Sequence, residues 1–367
     1  MKVCHMTSVH KQDDTRVFHK ECTSLAKAGY NTYLVVCGES GKKNGVHIVG
    51  TGEQSKSRIK RMRLDTKKVY EAALSVDADI YHIHDPELLP YALKLKKKGK
   101  KVIFDSHELY PVMMSVKPYI PKFARGLVAA FYKAYETRST KKLDAVIFPC
   151  PMKGKHPFEG RCKRAVYINN YPVIDETRTF PAATGDSVCY VGSLTQDRGI
   201  TNLLKAAHKA GAKLVLAGSF APPEYKDEIF AMPEAECIEY LGQIPQETVL
   251  DVIAKSKIGM SVLRNIAQYC LAENFPTKVY DYWMAQRPVI ISNSPYNVKT
   301  IGEIQGGICV NPENIDEIAA AIKELIGNSE KAREYAENGR RAVIEEFSWQ
   351  HEENTLLTLY DELSKEI

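Results

Sequence analysis

The stretch "LAENFPTKVYDYWMAQRPVIIS", Leu271 to Ser292, holds a loop, a helix start, an amphipathic helix and a near-continuous apolar strand in one short run. Pro276 suits the first position of a helix, because the N–H it lacks would find no intrahelical partner there. Val279 and Trp283, four residues apart, make one apolar side of that helix. The "PVIIS" that follows is apolar on successive residues, as a parallel strand covered on both faces requires. A helix feeding a doubly covered strand is the repeating unit of a doubly wound parallel sheet.

The unit recurs in both directions. Upstream, "SVCYVGS", "KLVLAGS", "CIEYLG" and "IGMSVL" read as strands, with helices over 198–210 and 247–255; downstream come "GICV" and helices from about residue 313. Further upstream, "KVCHMT", "NTYLVVC", "DIYHIH", "KVIFD" and "DAVIFP" alternate with the helical stretches "RVFHKECTSLAKAG", "PELLPYALKLKKKG" and "KFARGLVAAFYKAYETRSTKK". Gly29 and Gly99 stop two of those helices. Between the series lies "NNYPVIDETRTFPAATGD", rich in prolines and turn formers and without periodicity. The pattern predicts two Rossmann-like α/β domains facing each other across a cleft: 1–170, a linker at 171–185, and 186–349. Ligands in such sheets bind at the carboxyl ends of the strands.

At 367 residues the chain exceeds one ordinary core, and 44% hydrophobic with 26% charged residues is a globular composition. The N-terminus shows no signal-peptide apolar region and no segment has the length of a membrane span, so a cytoplasmic protein is expected. Nine cysteines without a C-x-x-C pair fit reduced thiols better than disulfides or a zinc site. Charge is uneven: residues 1–170 carry +16 and the remainder −11. The basic runs "SKSRIKRMRLDTKK", "KLKKKGKK" and "KGKHPFEGRCKR" are either a solvated surface or an attraction to anionic lipid or acceptor. They lack the interleaved aromatics of nucleic-acid stacking platforms, so no nucleic-acid partner is expected.

No G-x-G-x-x-G follows the first strand, and no Walker loop, H-E-x-x-H or G-x-S-x-G occurs, which disfavours dehydrogenase, P-loop, zincin and serine-hydrolase chemistry. The helix start at 276 offers more. Amides of Thr277 and Lys278 leave the N-terminus without intrahelical partners, where a diphosphate is favoured. On a helical wheel Thr277, Lys278 and Asp281 share a face, with Glu273 in the preceding loop. A carboxylate suits sugar hydroxyls better than phosphate, so Glu273 and Asp281 at opposite ends of a diphosphate suggest a transferred sugar and a ribose. The plainer reading is a helix start with capping acids.

"ENFPTKVYD" resembles the E-x7-E motif of retaining GT-B glycosyltransferases of family 4, with Asp281 in place of the usual second Glu, and "PTK…DYWMAQRPVI" is similar to the run that follows it in many bacterial members. "CYVGSLTQDRGITNLLKAA" resembles the family's V-G-R-L-x-x-x-K-G loop: Gly192 lets backbone approach the diphosphate, Arg198 stands at the gripping cation, and Ser193 replaces a second one that Lys278 is placed to supply. The likeness covers essentially the whole chain.

The resemblance implies a retaining transferase moving a hexose-type sugar from a nucleotide-diphosphate donor, a UDP-sugar first, to a glycan or lipid-linked acceptor in bacterial surface polysaccharide synthesis. His107 is then close to the donor sugar and catalytic with Glu273. Gly192, Arg198, Pro276, Thr277, Lys278 and Asp281 bind the donor, while Asp14, Arg16, His84, Asp85 and Glu87 lie on the acceptor side. The C-terminal helix, 350–367, is expected to cross back onto the N-terminal domain. No cofactor and no metal are expected, because His84, Asp85, His107 and Glu108 carry no recognised ligand spacing. An anionic membrane surface is a candidate partner, with peripheral attachment at the inner face. The alternatives are a nucleotide-sugar epimerase of the same architecture and a non-catalytic nucleotide-sugar-binding protein.

Overall fold

The computed structural model describes residues 1–115, 120–181, 183 and 185–367. The chain divides into two compact units, Met1–Asn170 with Trp349–Ile367, and Tyr171–Ser348. The first holds an eight-stranded sheet: β1 (Lys2–Met6), β2 (Asn31–Val36), β3 (Gly41–Lys43), β4 (Val46–Gly50), β5 (Ile80–Ile83), β6 (Lys101–Asp105), β7 (Ala145–Phe148) and β8 (Ala165–Tyr167). Its order is β3-β4-β2-β1-β5-β6-β7-β8, parallel except for the β3/β4 pair. The second unit holds β9 (Ser187–Val191), β10 (Lys213–Ala217), β11 (Ile238–Gly242), β12 (Ile258–Ser261), β13 (Val289–Ser292) and β14 (Gly307–Val310), all parallel in the order β11-β10-β9-β12-β13-β14. Each sheet reverses its winding beside its first strand, at β1/β5 and at β9/β12. Those two switch points are where a doubly wound sheet opens a crevice at the strands' carboxyl ends.

The parallel strands are apolar on successive residues because helices cover both faces. Ile80, Ile83, Ile103, Ile147, Ile258, Ile290 and Ile291 are fully buried, and each such side chain stabilises the fold by about 1.5–3 kcal/mol. The final helix, Trp349–Ser364, lays Leu356, Leu359, Tyr360 and Leu363 against Val3, Ile80, Ile103 and Ile147 of the first sheet. Trp349 fixes its start, with Nε1 donating to Ser24 Oγ at 3.0 Å. Of the expected linker, residues 182 and 184 lie outside the described residues, and Tyr171, Ile174 and Phe180 pack on the second unit's core. Period-2 or 3.6 patterning is absent there, so the sequence reads as a linker although three apolar anchors bind it.

Several elements escaped sequence reading, β8 and the helices Tyr225–Phe230 and Pro295–Ile304 among them. β3 is three exposed residues paired with β4, which buries Val46 and Ile48, and "SKSRIKRMRLDTKKVYEAALSV" forms one helical run, Arg58–Val76, whose first half leaves Ile59, Met62 and Leu64 exposed. The helix Thr15–Lys27 begins with π-type turns, and Asp14 caps it by accepting from the amides of Arg16 and Val17. All nine cysteines are free.

Candidate functional site

In the second unit, β9 ends at the β9/β12 switch and the chain turns at Gly192, whose φ of +132° lies where side chains are strained. A Cβ there would meet Lys278 Nζ at 3.3 Å. Thr195 then caps a single 3-10 turn, Gln196–Arg198, its hydroxyl accepting from the Arg198 amide. Gly199, at φ +77°, starts the helix Ile200–Ala210, and any Cβ on it would strike the Val262 carbonyl at the end of β12. The Arg264 amide donates to the Asp197 carbonyl at 3.1 Å, so the loop after β12 is tied to the same turn.

That loop carries Tyr269, whose ring lies 4.8 Å from the Arg198 guanidinium carbon. It continues through the half-buried Glu273 to the helix Thr277–Met284, whose start no side chain caps. Pro276 is the residue before the first helical turn, with φ −55° and ψ 137°. Thr277 is exposed and Lys278 buried; consecutive helical residues stand about 100° apart, so the expected shared face divides between them. Lys278 Nζ sits 3.5 Å from the Tyr190 ring centroid. Burial, then the Arg198 charge, hold its ammonium well below the ordinary lysine range, with Asp281 opposing. The structure thus brings Gly192, Arg198 and Lys278 together, with Asp281 one turn along the helix and Glu273 in the loop before it.

The first unit's switch carries a different arrangement. Asp85 is buried, and its Oδ2 accepts from Thr7 Oγ1 at 3.0 Å, from the Ser8 amide at 2.6 Å and from the Val9 amide at 3.2 Å. Glu87 accepts from Ser8 Oγ and from Arg61 Nε. Asp14 lies beside His10, Nδ1 to Oδ2 3.0 Å. Burial works against the Asp14 charge, but the His10 contact and the Val17 amide hold its carboxyl below the usual range. Arg16 is buried: Nε and Nη2 donate to the two oxygens of Asp105 at 2.8 and 3.1 Å, and Nη1 donates to the Ile168 carbonyl. Its guanidinium is therefore committed to the interior rather than presented to a ligand. His107, about one-fifth exposed, sits with Nε2 3.0 Å from Asp105 Oδ2 and 3.4 Å from His84 Nδ1. Burial pushes the His84 imidazole down to about 4 despite the Asp105 carboxylate.

Sequence reasoning passed over His5, Glu21, His82, Asp105 and Tyr360, which surround these groups. His82 lies in β5 and His84 just past its end, and His5 faces His82 in the β1/β5 register. The "YHIH" alternation was a signal; the register that brings His5 beside it was not visible.

Comparison with known proteins sharpens this geometry. Residues 15–153 match the family described as Glycosyltransferase Family 4, and residues 177–342 match Glycosyl transferases group 1. Alpha-maltose-1-phosphate synthase of Mycolicibacterium smegmatis is 25% identical over 190 residues, 48% of this chain and 48% of the relative. An uncharacterized glycosyltransferase of Methanocaldococcus jannaschii is 23% identical over 178 residues, 47% of this chain and 44% of the relative. The match thus spans about half the length of these curated relatives. Sucrose-phosphate synthase from Thermosynechococcus elongatus superposes with a TM-score of 0.81 at 16% identity, covering 100% of both chains. Anabaena HepE, solved in complex with UDP and glucose, gives 0.74 at 12%, covering 99% of this chain and 100% of that one. Two parallel-sheet α/β domains of this kind define the GT-B class of fold. With both of its halves matched, the chain belongs to glycosyltransferase family 4.

Proposed function

We propose that the protein transfers a hexose-type sugar, with retention, from a UDP-sugar to a glycan or lipid-linked acceptor of surface polysaccharide synthesis. The observation that carries the reading is Lys278, a buried ammonium against the Tyr190 ring, beside Arg198 and Gly192 at an uncapped helix start. A buried cation is costly, and an anion completes it. A diphosphate fits: two cations, the amides at the helix start and a close backbone approach at Gly192 meet its charge. As the glycosidic bond breaks, the leaving diphosphate gains charge, and fixed donors of this kind contribute on the order of 3 kcal/mol each in the transition state. This assignment needs no metal at the donor diphosphate. Glu273 orients sugar hydroxyls and Asp281 takes the ribose. HepE, of the same fold, was solved with UDP and glucose, which supports the nucleotide.

An anionic membrane surface belongs to the same reading. Phe123, Leu127 and Phe131 are 93%, 78% and 78% exposed, at four-residue spacing along the 3-10 turn Lys122–Ala124 and the helix Arg125–Thr140. Lys122, Arg125 and Lys133 flank them. An apolar stripe edged with cations suits a bilayer interface with anionic lipid. Among the described residues no helix is long and apolar enough to cross a membrane.

A thermal-shift screen of nucleoside diphosphates and their sugars tests the donor. A ligand at about 100 times its Kd stabilises by about 2.7 kcal/mol, and UDP and a UDP-hexose should both shift unfolding where uridine at equal concentration does not. Release of UDP only with acceptor present, from vesicles bearing lipid-linked glycan, completes the test; conversion of the sugar in donor alone would instead show an epimerase.

A further inference from the structure

At the β1/β5 switch of the first unit, three imidazoles and a carboxylate point at one place, and none is accessible to solvent. We propose that His5, Glu21, His82 and His84 bind a divalent transition-metal ion of the zinc class. The donor atoms lie within 4.8 Å of one another. His5 Nδ1 is 2.9 Å from His84 Nε2, and Glu21 Oε2 is 3.9 Å from His5 Nδ1, 3.9 Å from His82 Nδ1 and 3.8 Å from His84 Nε2. A tetrahedral zinc centre with bonds of about 2.0–2.1 Å has ligand edges of about 3.3–3.4 Å. The edges of 2.9–3.9 Å bracket that value, and no donor pair lies beyond 4.8 Å.

The surroundings match what metal-bound histidines need at His84 and His5, while Nε2 of His82 has no hydrogen-bond partner among the described residues. A ligating imidazole characteristically donates its other N–H to a carboxylate or comparable acceptor. With Nε2 of His84 on the metal, its Nδ1 faces Asp105 Oδ2 at 3.5 Å, and Asp105 is itself gripped by Arg16. With Nδ1 of His5 on the metal, its Nε2 faces the Tyr360 hydroxyl at 3.1 Å. Ligation by His82 Nδ1 replaces its 2.9 Å contact with Tyr360, which keeps the His5 bond. Neither Glu21 oxygen has a hydrogen-bond partner among the described residues. Arg16 Nε lies 2.9 Å from Oε1, but its single N–H is directed at Asp105.

Three nitrogens and one carboxylate oxygen select zinc, cobalt or nickel over magnesium or calcium. All four ligands are fully buried, so the site is closed, as structural zinc sites are. It joins β1, β5 and the helix Thr15–Lys27, with Tyr360 tying in the C-terminal helix, and it is separate from the donor chemistry assigned to the second unit. The ligand set differs from the His84, Asp85, His107 and Glu108 grouping that sequence spacing had set aside.

The full chain, made without a polyhistidine tag in zinc-supplemented medium, is analysed for metal by inductively coupled plasma mass spectrometry. About one zinc per chain is expected. Protein unfolded with EDTA and refolded should unfold at lower temperature, recover on adding zinc chloride, and show the visible bands of tetrahedral cobalt when cobalt chloride replaces it. Glu21→Gln, which preserves volume, should lose the metal, as should His82→Phe; His208→Asn, exposed on the second unit, should keep it. Less than a tenth of an equivalent in the wild type would overturn the proposal, as would equal metal content in the wild type and Glu21→Gln.

Discussion

Replacing Lys278 by methionine, of similar length and uncharged, should make the protein more stable and a worse UDP binder at once. The ammonium gains about 2 kcal/mol from the Tyr190 ring it faces, against several kcal/mol for burying its charge. Lys278→Met should therefore stabilise the ligand-free protein by about 1–3 kcal/mol. At roughly 2–4 °C per kcal/mol for a domain of this size, the rise in Tm is roughly 2–12 °C. A charge-assisted hydrogen bond to phosphate contributes about 1.5–3 kcal/mol, so UDP affinity should fall about 10- to 150-fold while uridine binding is nearly unchanged. Because burial and Arg198 depress the Lys278 ammonium, the unfolded chain holds a proton that the folded chain lacks between that depressed value and the ordinary lysine range. Wild-type stability therefore rises with pH across that window, and the advantage of Lys278→Met narrows. Urea unfolding across pH and titration calorimetry with UDP and uridine measure all three. A variant less stable than wild type that binds UDP within twofold would refute the reasoning.

Glu273→Gln should leave UDP affinity intact and lower turnover by about 10² or more, whereas Asp281→Asn should weaken uridine, UDP and donor together; equal loss of plain UDP in both variants would overturn their assignment to opposite ends. Asp105→Asn leaves the buried Arg16 guanidinium against one carboxylate fewer and should cost about 3–5 kcal/mol in urea unfolding; a loss under 1 kcal/mol would show that the ion cluster is not holding β6 to the first helix. Gln286 stands at φ +56° just after the helix Thr277–Met284, where a side chain costs about 1 kcal/mol; Gln286→Gly should raise stability by up to that amount, and a clear loss would mean that its contact with the Phe180 amide matters more than the strain.

Local rules carried the sequence a long way. Runs apolar on both faces announce parallel strands because covering helices leave them no wet side, and Pro276 announces a helix start because its missing N–H costs nothing there. Gly192, Arg198 and Lys278 could be singled out because each loop follows directly from a strand or opens a helix, so their chemistry is written in consecutive residues. What the sequence withheld is what strand order decides. His5, Glu21 and His82 come from distant stretches and meet only because β1 pairs with β5 in a register that sets His5 opposite His82, and sequence spacing carries no record of register between parallel strands. The same holds for Arg16, whose position in a loop suggested an exposed cation. A buried Asp105 two strands away draws the guanidinium inward, since an unpaired buried carboxylate costs far more than an exposed arginine contributes. Orientation on the donor helix was decided the same way: the sequence put Lys278 beside Thr277, and only packing against Tyr190 turned one inward and left the other in water.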